Sequence, residues 1–162
     1  MQSGNVVFFT VGVSSATLVT KIETAIVKRF GFSVPVIIRS SAQLLKIFKA
    51  NPFLQEKSVD LSKLHVTFLT KSPTKSNLKK LDEIPANPDQ FCVLGQEVYL
   101  YCPNGYGRTK LSNNIIERFL ELGETTRNWN SVSNLVAPRI VTFTLKYSDA
   151  GRRNLQCRNL QS

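Results

Sequence analysis

The chain has 162 residues, of which 42% are hydrophobic, so it is long and apolar enough for one globular domain or two small subdomains that share a core. No apolar run approaches the roughly 20 residues that a membrane-spanning helix needs, and the first residues lack a secretory signal pattern, so no membrane is expected. The formal net charge of +10 favours phosphate-bearing or other acidic partners.

The first predicted elements are a strand and a helix. The apolar residues within Gly4–Thr10 predict a short buried strand. A helix capped by Ser14 or Ser15 is predicted to run to about Phe30, because apolar residues recur at helical spacing. Gly31 follows as the residue that ends it.

A second strand and helix are predicted next. Val34–Arg39 reads as a strand, and Pro35 near its start indicates that its amide side is unpaired there. Ser40 or Ser41 then caps a helix that closes before Pro52. This order of elements indicates an α+β or α/β protein and excludes a helical bundle.

The second half of the chain begins with a predicted strand at Leu64–Leu69. Ser72 and Pro73 predict a helix start, with proline at the first helical position. Phe91–Leu94 and Val98–Tyr101 flank a three-residue turn and predict a β-hairpin.

Two further helices are predicted after the hairpin. Ser112 caps the first, and Gly123 stops it. Thr125 or Thr126 is predicted to start the last helix, with Trp129 facing inward by its spacing to later valines. Strand, helix, hairpin and helix together predict a split βαβ-like unit on an antiparallel sheet.

Several separate motifs in this order carry a resemblance to a known family. They are Gln2–Phe8, Leu64–Leu69, Glu97–Pro103, Gly105–Arg108 and Thr125–Asn130. Over about residues 2 to 136 the chain resembles the bacterial domain of unknown function 1697 family. The resemblance implies an intracellular α+β protein of two ferredoxin-like subdomains, with antiparallel or mixed sheets packed against helices. It implies no established activity.

The resemblance also implies departures at both ends. Similar family members begin with a further strand and helix, so the first subdomain, residues 1–60, is expected to lack both. That loss would leave an exposed sheet edge able to pair with another chain, and the oligomeric state stays open. The second subdomain is assigned to residues 61–136. Residues 137–162 form an atypical basic tail, whose alternation at residues 141–147 indicates either a strand that patches a sheet edge or a gene-boundary artefact.

The candidate ligand site is a glycine loop between the hairpin and the next helix. Gly105 and Gly107 allow backbone turns that aim successive N–H groups at one point, and a helix start adds its dipole. The alternative is a turn that requires glycine, followed by a capped helix and solvated cations; the spacing is not that of a P-loop. The candidate ligand-binding residues are Tyr106, Arg108, Lys110, Asn113, Asn114, Arg127 and Asn128.

No catalytic arrangement, metal site or cofactor is predicted. His65 is interpreted as a hydrogen-bonded structural imidazole, and Trp129 as a core residue instead of a stacking platform. Three cysteines, Cys92, Cys102 and Cys157, have no metal-ligand spacing and favour a reduced, cytoplasmic setting.

Three hypotheses for function stay open. The first is a binding module for a phosphate-bearing ligand, either a nucleotide or a nucleic acid. The second is an enzyme that acts on a small anionic substrate in the cleft between the subdomains. The third is a structural or partner-binding protein whose glycine loop only holds its neighbours in place.

Overall fold

The structure, a computed structural model, describes residues 5–56, 58–136 and 157–158. In this part of the chain a four-stranded antiparallel sheet packs against helices, which confirms the α+β class. None of the helices described there is long and apolar enough to cross a membrane. The two ferredoxin-like subdomains and their boundary near residue 60 stay predictions.

The first two helices begin and end where the sequence predicts. Helix α1 spans Ser15–Phe30, and the Ser14 side chain accepts a hydrogen bond from Thr17 N. Gly31 ends it in the left-handed conformation, at φ 79°. Helix α2 spans Ser41–Lys49 after a capping box, in which the Ser40 and Gln43 side chains each bond the other's main-chain amide. Local capping chemistry therefore fixes both helices.

The sheet and its helices occupy residues 64–136. In chain order they are β1 Leu64–Leu69, α3 Lys75–Asp82, β2 Gln90–Leu94, β3 Glu97–Tyr101, α4 Asn113–Leu120, β4 Glu124–Asn128 and α5 Trp129–Val136. Short 3₁₀ turns lie at Pro52–Gln55, Leu61–Lys63 and Tyr106–Arg108. The predicted strand at 64–69 and the predicted hairpin are both confirmed.

The strands follow the order β4-β1-β3-β2, all antiparallel. Two further residues, β5 Cys157–Arg158, pair with β2 on the outer side. Two tail residues therefore pair with the sheet edge. The tail strand predicted at residues 141–147 lies outside the described residues. Thr67 stands opposite Thr126, and Val66 opposite Arg127. Successive residues of β4 consequently face opposite sides of the sheet.

Hydrophobic side chains cover both faces of this sheet. One cluster packs α3 and α4 over Leu69, Val98 and Leu100. The other packs α2 and α5 over the opposite face, where Val66 and Tyr99 are fully buried. The Tyr99 hydroxyl donates to the main-chain oxygen of Ile47, 2.9 Å away, and so ties α2 to the sheet. These two layers hold β4 and α4 in fixed positions.

The strand predicted at Gly4–Thr10 is wrong for residues 5–10, which form no regular element. Val6 is 83% exposed and Phe9 is 86% exposed, so apolar composition there does not produce a buried strand. Burial of a strand requires a neighbouring strand to take its main-chain hydrogen bonds, and residues 5–10 have none in the described sheet.

The strand predicted at Val34–Arg39 is also wrong, because side chains satisfy this segment instead of a neighbouring strand. The amide of Val36 donates to Glu23 Oε1, 2.9 Å away. Arg39 pairs with Glu97 at 2.9 Å and donates to the main-chain oxygen of Leu69, also at 2.9 Å. The segment therefore crosses the end of the sheet as an irregular link. With no strand among residues 5–56, the sheet edge predicted in this half has no counterpart in the described chain.

Three helix boundaries differ from prediction. Helix α3 begins at Lys75 with Thr74 as its cap, two residues after the predicted proline start. Helix α4 ends with Glu121 in the left-handed conformation, before the predicted stop at Gly123. The helix predicted to start at Thr125 or Thr126 is wrong, because these β-branched residues lie within β4 and α5 begins at Trp129.

Candidate functional site

The glycine loop is ordered by its own main-chain hydrogen bonds. The amide of Gly105 donates to Cys102 O at 2.8 Å, and the amide of Arg108 donates to Gly105 O at 3.0 Å. Gly105 has φ 88°, a conformation that glycine adopts without strain, whereas Gly107 is not in the positive-φ region. Of the two glycines, only Gly105 therefore adopts a backbone conformation that favours glycine.

Helix α4 begins differently from the three helices before it. Ser14, Ser40 and Thr74 each use their side chains to cap their helices, but the Ser112 side chain makes no capping hydrogen bond. The amide of Asn114 has no hydrogen-bond acceptor among the described residues, whereas the amide of Asn113 interacts with the Tyr106 hydroxyl and lowers the pKa of that group. The open amide of Asn114, which is exposed, and the positive end of the helix dipole therefore lie together at the end of the glycine loop.

Two cations of this loop are exposed and lack an acidic partner. Arg108 and Lys110 both lie on the surface. The ion pairs in the described part of the chain are Arg39–Glu97 and Lys80–Glu121, so neither loop cation is neutralised there. An arginine and a lysine near the N-terminus of a helix form a surface that attracts anions.

A network of side-chain oxygen atoms, here called the hydroxyl network, connects the loop, β1, β4 and α4. The Tyr106 hydroxyl donates to Asn113 Oδ1 and lies 3.2 Å from Thr126 Oγ1. Thr126 Oγ1 lies 2.6 Å from Thr67 Oγ1 and donates to Glu124 Oε2 at 3.3 Å. Tyr106 and Asn113, which were both predicted as site residues, are therefore in direct contact.

The imidazole of His65 packs beside this network. Its ring stacks on Tyr106, with centroids 4.6 Å apart and planes tilted by 25°. Its Nδ1 lies 3.2 Å from the main-chain oxygen of Lys63. Burial lowers the pKa of His65, and the contact with Lys63 opposes this in part. The neutral ring holds Tyr106 in place, which agrees with the structural role predicted for His65.

Glu124 is the acidic residue of the network, and the sequence reasoning missed it. Burial raises the pKa of the Glu124 carboxyl to about 7, and the negative charge of Glu117 contributes to the rise. The bond from Thr126 and the positive charge of Arg127 oppose the shift. In the sequence, Glu117, Glu121 and Glu124 recur at a spacing typical of a solvated helix face. Recognising Thr125 and Thr126 as strand residues would have separated Glu124 from that group.

Arg127 lies on the other face of β4, away from the hydroxyl network. Its Nε donates to Asn5 Oδ1 at 2.7 Å, and its Nη1 donates to Thr126 O at 2.9 Å and to the Thr125 hydroxyl. Burial lowers its pKa, and Glu124 opposes that shift. Arg127 therefore joins residue 5 to β4 through its hydrogen bonds.

The last two predicted ligand residues differ in their surroundings. Asn128 caps α5, because its Oδ1 accepts a hydrogen bond from Ser131 N at 2.8 Å. Asn114 is exposed in the first turn of α4, next to Asn113. Of the predicted set, Tyr106, Arg108, Lys110, Asn113 and Asn114 belong to one continuous segment, whereas Arg127 and Asn128 belong to β4.

Trp129 is a core residue, as predicted. It is 3% exposed, and its ring stacks on Phe48 at a centroid distance of 4.8 Å and an interplanar angle of 11°. It lies in the cluster that packs α2 and α5 against Val66 and Tyr99, so its ring offers no face to a ligand. The predicted stacking alternative is therefore excluded for this side chain.

No group of three or more His, Cys, Asp and Glu side chains among the described residues could hold a metal ion. Two polar features thus lie near the glycine loop: the unpaired cations Arg108 and Lys110 beside the start of α4, and the hydroxyl network with the Glu124 carboxyl group. Both features meet at Asn113, whose side chain belongs to the network and whose amide opens α4.

Comparison with known proteins identifies a family for this chain. No curated protein and no solved structure matches it. The model of a family described as a protein of unknown function, DUF1697, matches residues 1–99. The match includes β1, β2 and most of β3, and the resemblance seen beyond residue 99 stays a prediction. Because the matched residues make up more than half of the chain, this protein belongs to the DUF1697 family.

Proposed function

We propose that this protein binds a phosphate-bearing ligand, a nucleotide or a nucleic acid, at the segment 105–114. The observation that carries the proposal is the combination of two exposed cations without acidic partners and a helix start that its own N-cap side chain leaves open. The surplus of positive charge over the whole chain adds a long-range attraction for such ligands.

Each part of this surface has a distinct task toward a phosphate group. The amide of Asn114 is suited to donate to a phosphate oxygen at the positive end of α4. Arg108 can form two parallel hydrogen bonds to one phosphate, whereas Lys110 contributes a mobile charge. The hydrogen bond from Tyr106 to Asn113 Oδ1 positions the first turn of the helix.

The contacts of Arg127 favour a different role from the one that the sequence suggested. Its donors already bond Asn5, Thr125 and the main chain of Thr126. We therefore assign ligand contact to Arg108 and Lys110, and attachment of residue 5 to Arg127. Under this assignment Arg127→Ala lowers the melting temperature and leaves ligand affinity unchanged.

The proposal is tested by removing the two loop cations together. Pyrophosphate, ATP and a labelled 20-nucleotide single strand are titrated against the wild type, R108A/K110A and a control, K75A/K79A. The control removes the same charge from exposed positions of α3 that also lack an acidic partner among the described residues.

We expect the loop variant to bind about tenfold or more weakly than the control. For the oligonucleotide, losing two phosphate contacts lowers the slope of log affinity against log salt by about 1.4. Equal affinity of the loop variant and the control would show that only net charge attracts the ligand. Absence of binding to the wild type would rule out this function.

A further inference from the structure

We propose that two copies of this chain associate through an exposed apolar surface near the N-terminus. This surface, here called the apolar surface, consists of the exposed valine and phenylalanine side chains of residues 6–13 and 27–34. It shares no residue with the segment 105–114, so the association is independent of the anion site proposed there.

Exposed hydrophobic side chains are concentrated in the apolar surface. Of the twelve large hydrophobic side chains that are exposed in the described part of the chain, ten belong to it, and the other two are Leu54 and Leu61. Val11 is 95% exposed, and Phe30 is 63% exposed. Single apolar residues scattered over a surface are ordinary, whereas ten within two short segments indicate a contact site.

Helix α1, which joins the two segments, is not covered by the rest of the described fold. None of the closely packed pairs of helices and strands described in the chain includes α1. No side chain of residues 5–46 is buried, and Ile47 is the first that is. The first part of the chain therefore has the apolar composition of a core element but no core of its own.

Both parts of the apolar surface are anchored at one short strand. Asn5, just before the first part, accepts a hydrogen bond from Arg127 of β4. Pro35, just after the second part, packs against Gly123, which precedes β4. Along an extended strand, the four steps from Gly123 to Arg127 span only about 13 Å. The two parts are therefore held at the same edge of the sheet.

The area of the apolar surface fits a dimer. Weighted by their exposed fractions, its ten side chains present on the order of 1,000 Å² to water, at about 150–250 Å² for a whole aromatic side chain. The largest apolar patch of an ordinary monomer is about 300–600 Å². A standard interface buries about 800 Å² of each partner. The apolar surface thus exceeds what a monomer leaves in water and matches what a second copy covers.

The charge pattern favours a second copy over an acidic or phosphate-bearing partner. No charged residue occurs in residues 5–20 or 30–38, although the chain carries a net charge of +10. On α1, Lys21 and Lys28 stand about 160–180° around the helix from Phe30. An anion therefore finds no cation within the apolar surface. In a two-fold dimer the same patch faces itself, so an uncharged apolar patch is its own complement.

The dimer is tested by sedimentation equilibrium at chain concentrations of about 1 to 100 µM, because association depends on concentration. Three proteins are compared: the wild type, V11K/F30K and a control, L54K/L61K. The control makes the same hydrophobic-to-lysine changes at the two exposed large hydrophobic side chains outside the apolar surface. We expect the wild type and the control to reach twice the mass of one chain. V11K/F30K should dimerise at least about 100-fold more weakly, because like charges then face each other across the interface.

Hydrogen exchange then locates the interface. In the wild type, the main-chain amides of residues 6–13 should exchange more slowly at the high concentration than at the low one. In V11K/F30K their exchange should not depend on concentration. R108A/K110A should associate as the wild type does, because neither residue belongs to the apolar surface.

Several outcomes would overturn the proposal. A wild type that stays monomeric at the highest concentration would leave the apolar surface to a different partner. A mass that keeps rising beyond two chains would exclude a two-fold contact, which closes on itself. Dimers that persist in V11K/F30K, or slowed exchange confined to other segments, would place the interface elsewhere. If V11K/F30K loses the helical circular dichroism of the wild type, the single variant Val11→Lys, at an almost fully exposed side chain, decides in its place.

Discussion

Replacement of Trp129 by alanine is expected to destabilise the fold strongly. The side chain is 3% exposed, and its ring stacks on Phe48 at 4.8 Å within the cluster beneath the sheet. Removing a buried aromatic side chain costs about 3–5 kcal/mol, of which the stacked pair accounts for about 0.5–1.5 kcal/mol. Because domains of ordinary stability unfold with about 5–15 kcal/mol, this loss is a large fraction of the total.

The free energy of unfolding is measured by circular dichroism in urea. For a chain of this size, each kcal/mol corresponds to a shift of about 2–4 °C in melting temperature, so Trp129→Ala should melt about 6–20 °C lower. Trp129 is the only tryptophan, so its fluorescence in the wild type reports directly on burial and should move to longer wavelength on unfolding.

Two variants separate packing from ligand contact. Trp129→Phe keeps a ring against Phe48 and should lose less stability than the alanine variant. Asn130→Ala, an exposed neighbour on the same helix, should change little. A loss below about 1 kcal/mol in Trp129→Ala, together with weaker nucleotide binding, would refute the core assignment.

Three further predictions concern Arg39, Gly123 and Glu124. Arg39→Met should lower the free energy of unfolding by about 3 kcal/mol in urea titrations, because it leaves Glu97 unpaired and the two side chains are only 10% and 13% exposed. The double variant Arg39→Met/Glu97→Leu should recover most of that loss. Gly123→Val should cost about 1–3 kcal/mol by calorimetry, because an added Cβ would lie 3.1 Å from Pro35 Cβ. The folded pKa of Glu124, about 7, exceeds its ordinary 4.5, so the folded state binds more protons between these values and loses stability as the pH rises. Glu124→Gln should therefore match the wild type near pH 4.5 and exceed it by about 1–2 kcal/mol at pH 8, with allowance for solvent screening; equal stability at both pH values would contradict this.

Local capping signals explain why several elements could be predicted from the sequence. Ser14 and Gly31 bound α1 as expected, because cap and stop are chemistry within a few residues of the chain. The hairpin was equally readable, since two β-branched and aromatic runs flank a turn with Gly95 at φ 65°. Such signals do not depend on distant contacts.

The irregular link at residues 34–39 could not be predicted in this way. Its apolar run reads as a strand, but a strand requires a neighbour, and the partners here are side chains far along the sequence. The Glu23 carboxylate accepts a hydrogen bond from the amide of Val36, and the Glu97 carboxylate accepts one from the guanidinium of Arg39. No local pattern records that these groups meet, so tertiary contacts overrode the propensity.

The candidate site was predicted in part for the same reason. Its continuous segment, residues 105–114, was identified because glycines, cations and a helix start lie together in the sequence. The hydroxyl network was missed because Thr67 comes from β1, whereas Glu124 and Thr126 come from β4. Only the register that places Thr67 opposite Thr126 brings these residues together.

The assignment of residues 124–128 to a strand decides which groups can act together. In a helix starting at Thr125, Arg127 and Asn128 would share the first turn and present their donors to one anion. In β4 the side chains alternate, so Glu124 and Thr126 face α4 while Arg127 faces the opposite side. The side of β4 that faces α4 therefore carries the Glu124 carboxyl group, whereas a helix starting at Thr125 would have presented the Arg127 cation to the anion. The anion site proposed at the start of α4 must consequently tolerate a carboxyl group on the neighbouring strand, and the Thr126 hydroxyl, which donates to Glu124 at 3.3 Å, spreads part of that negative charge.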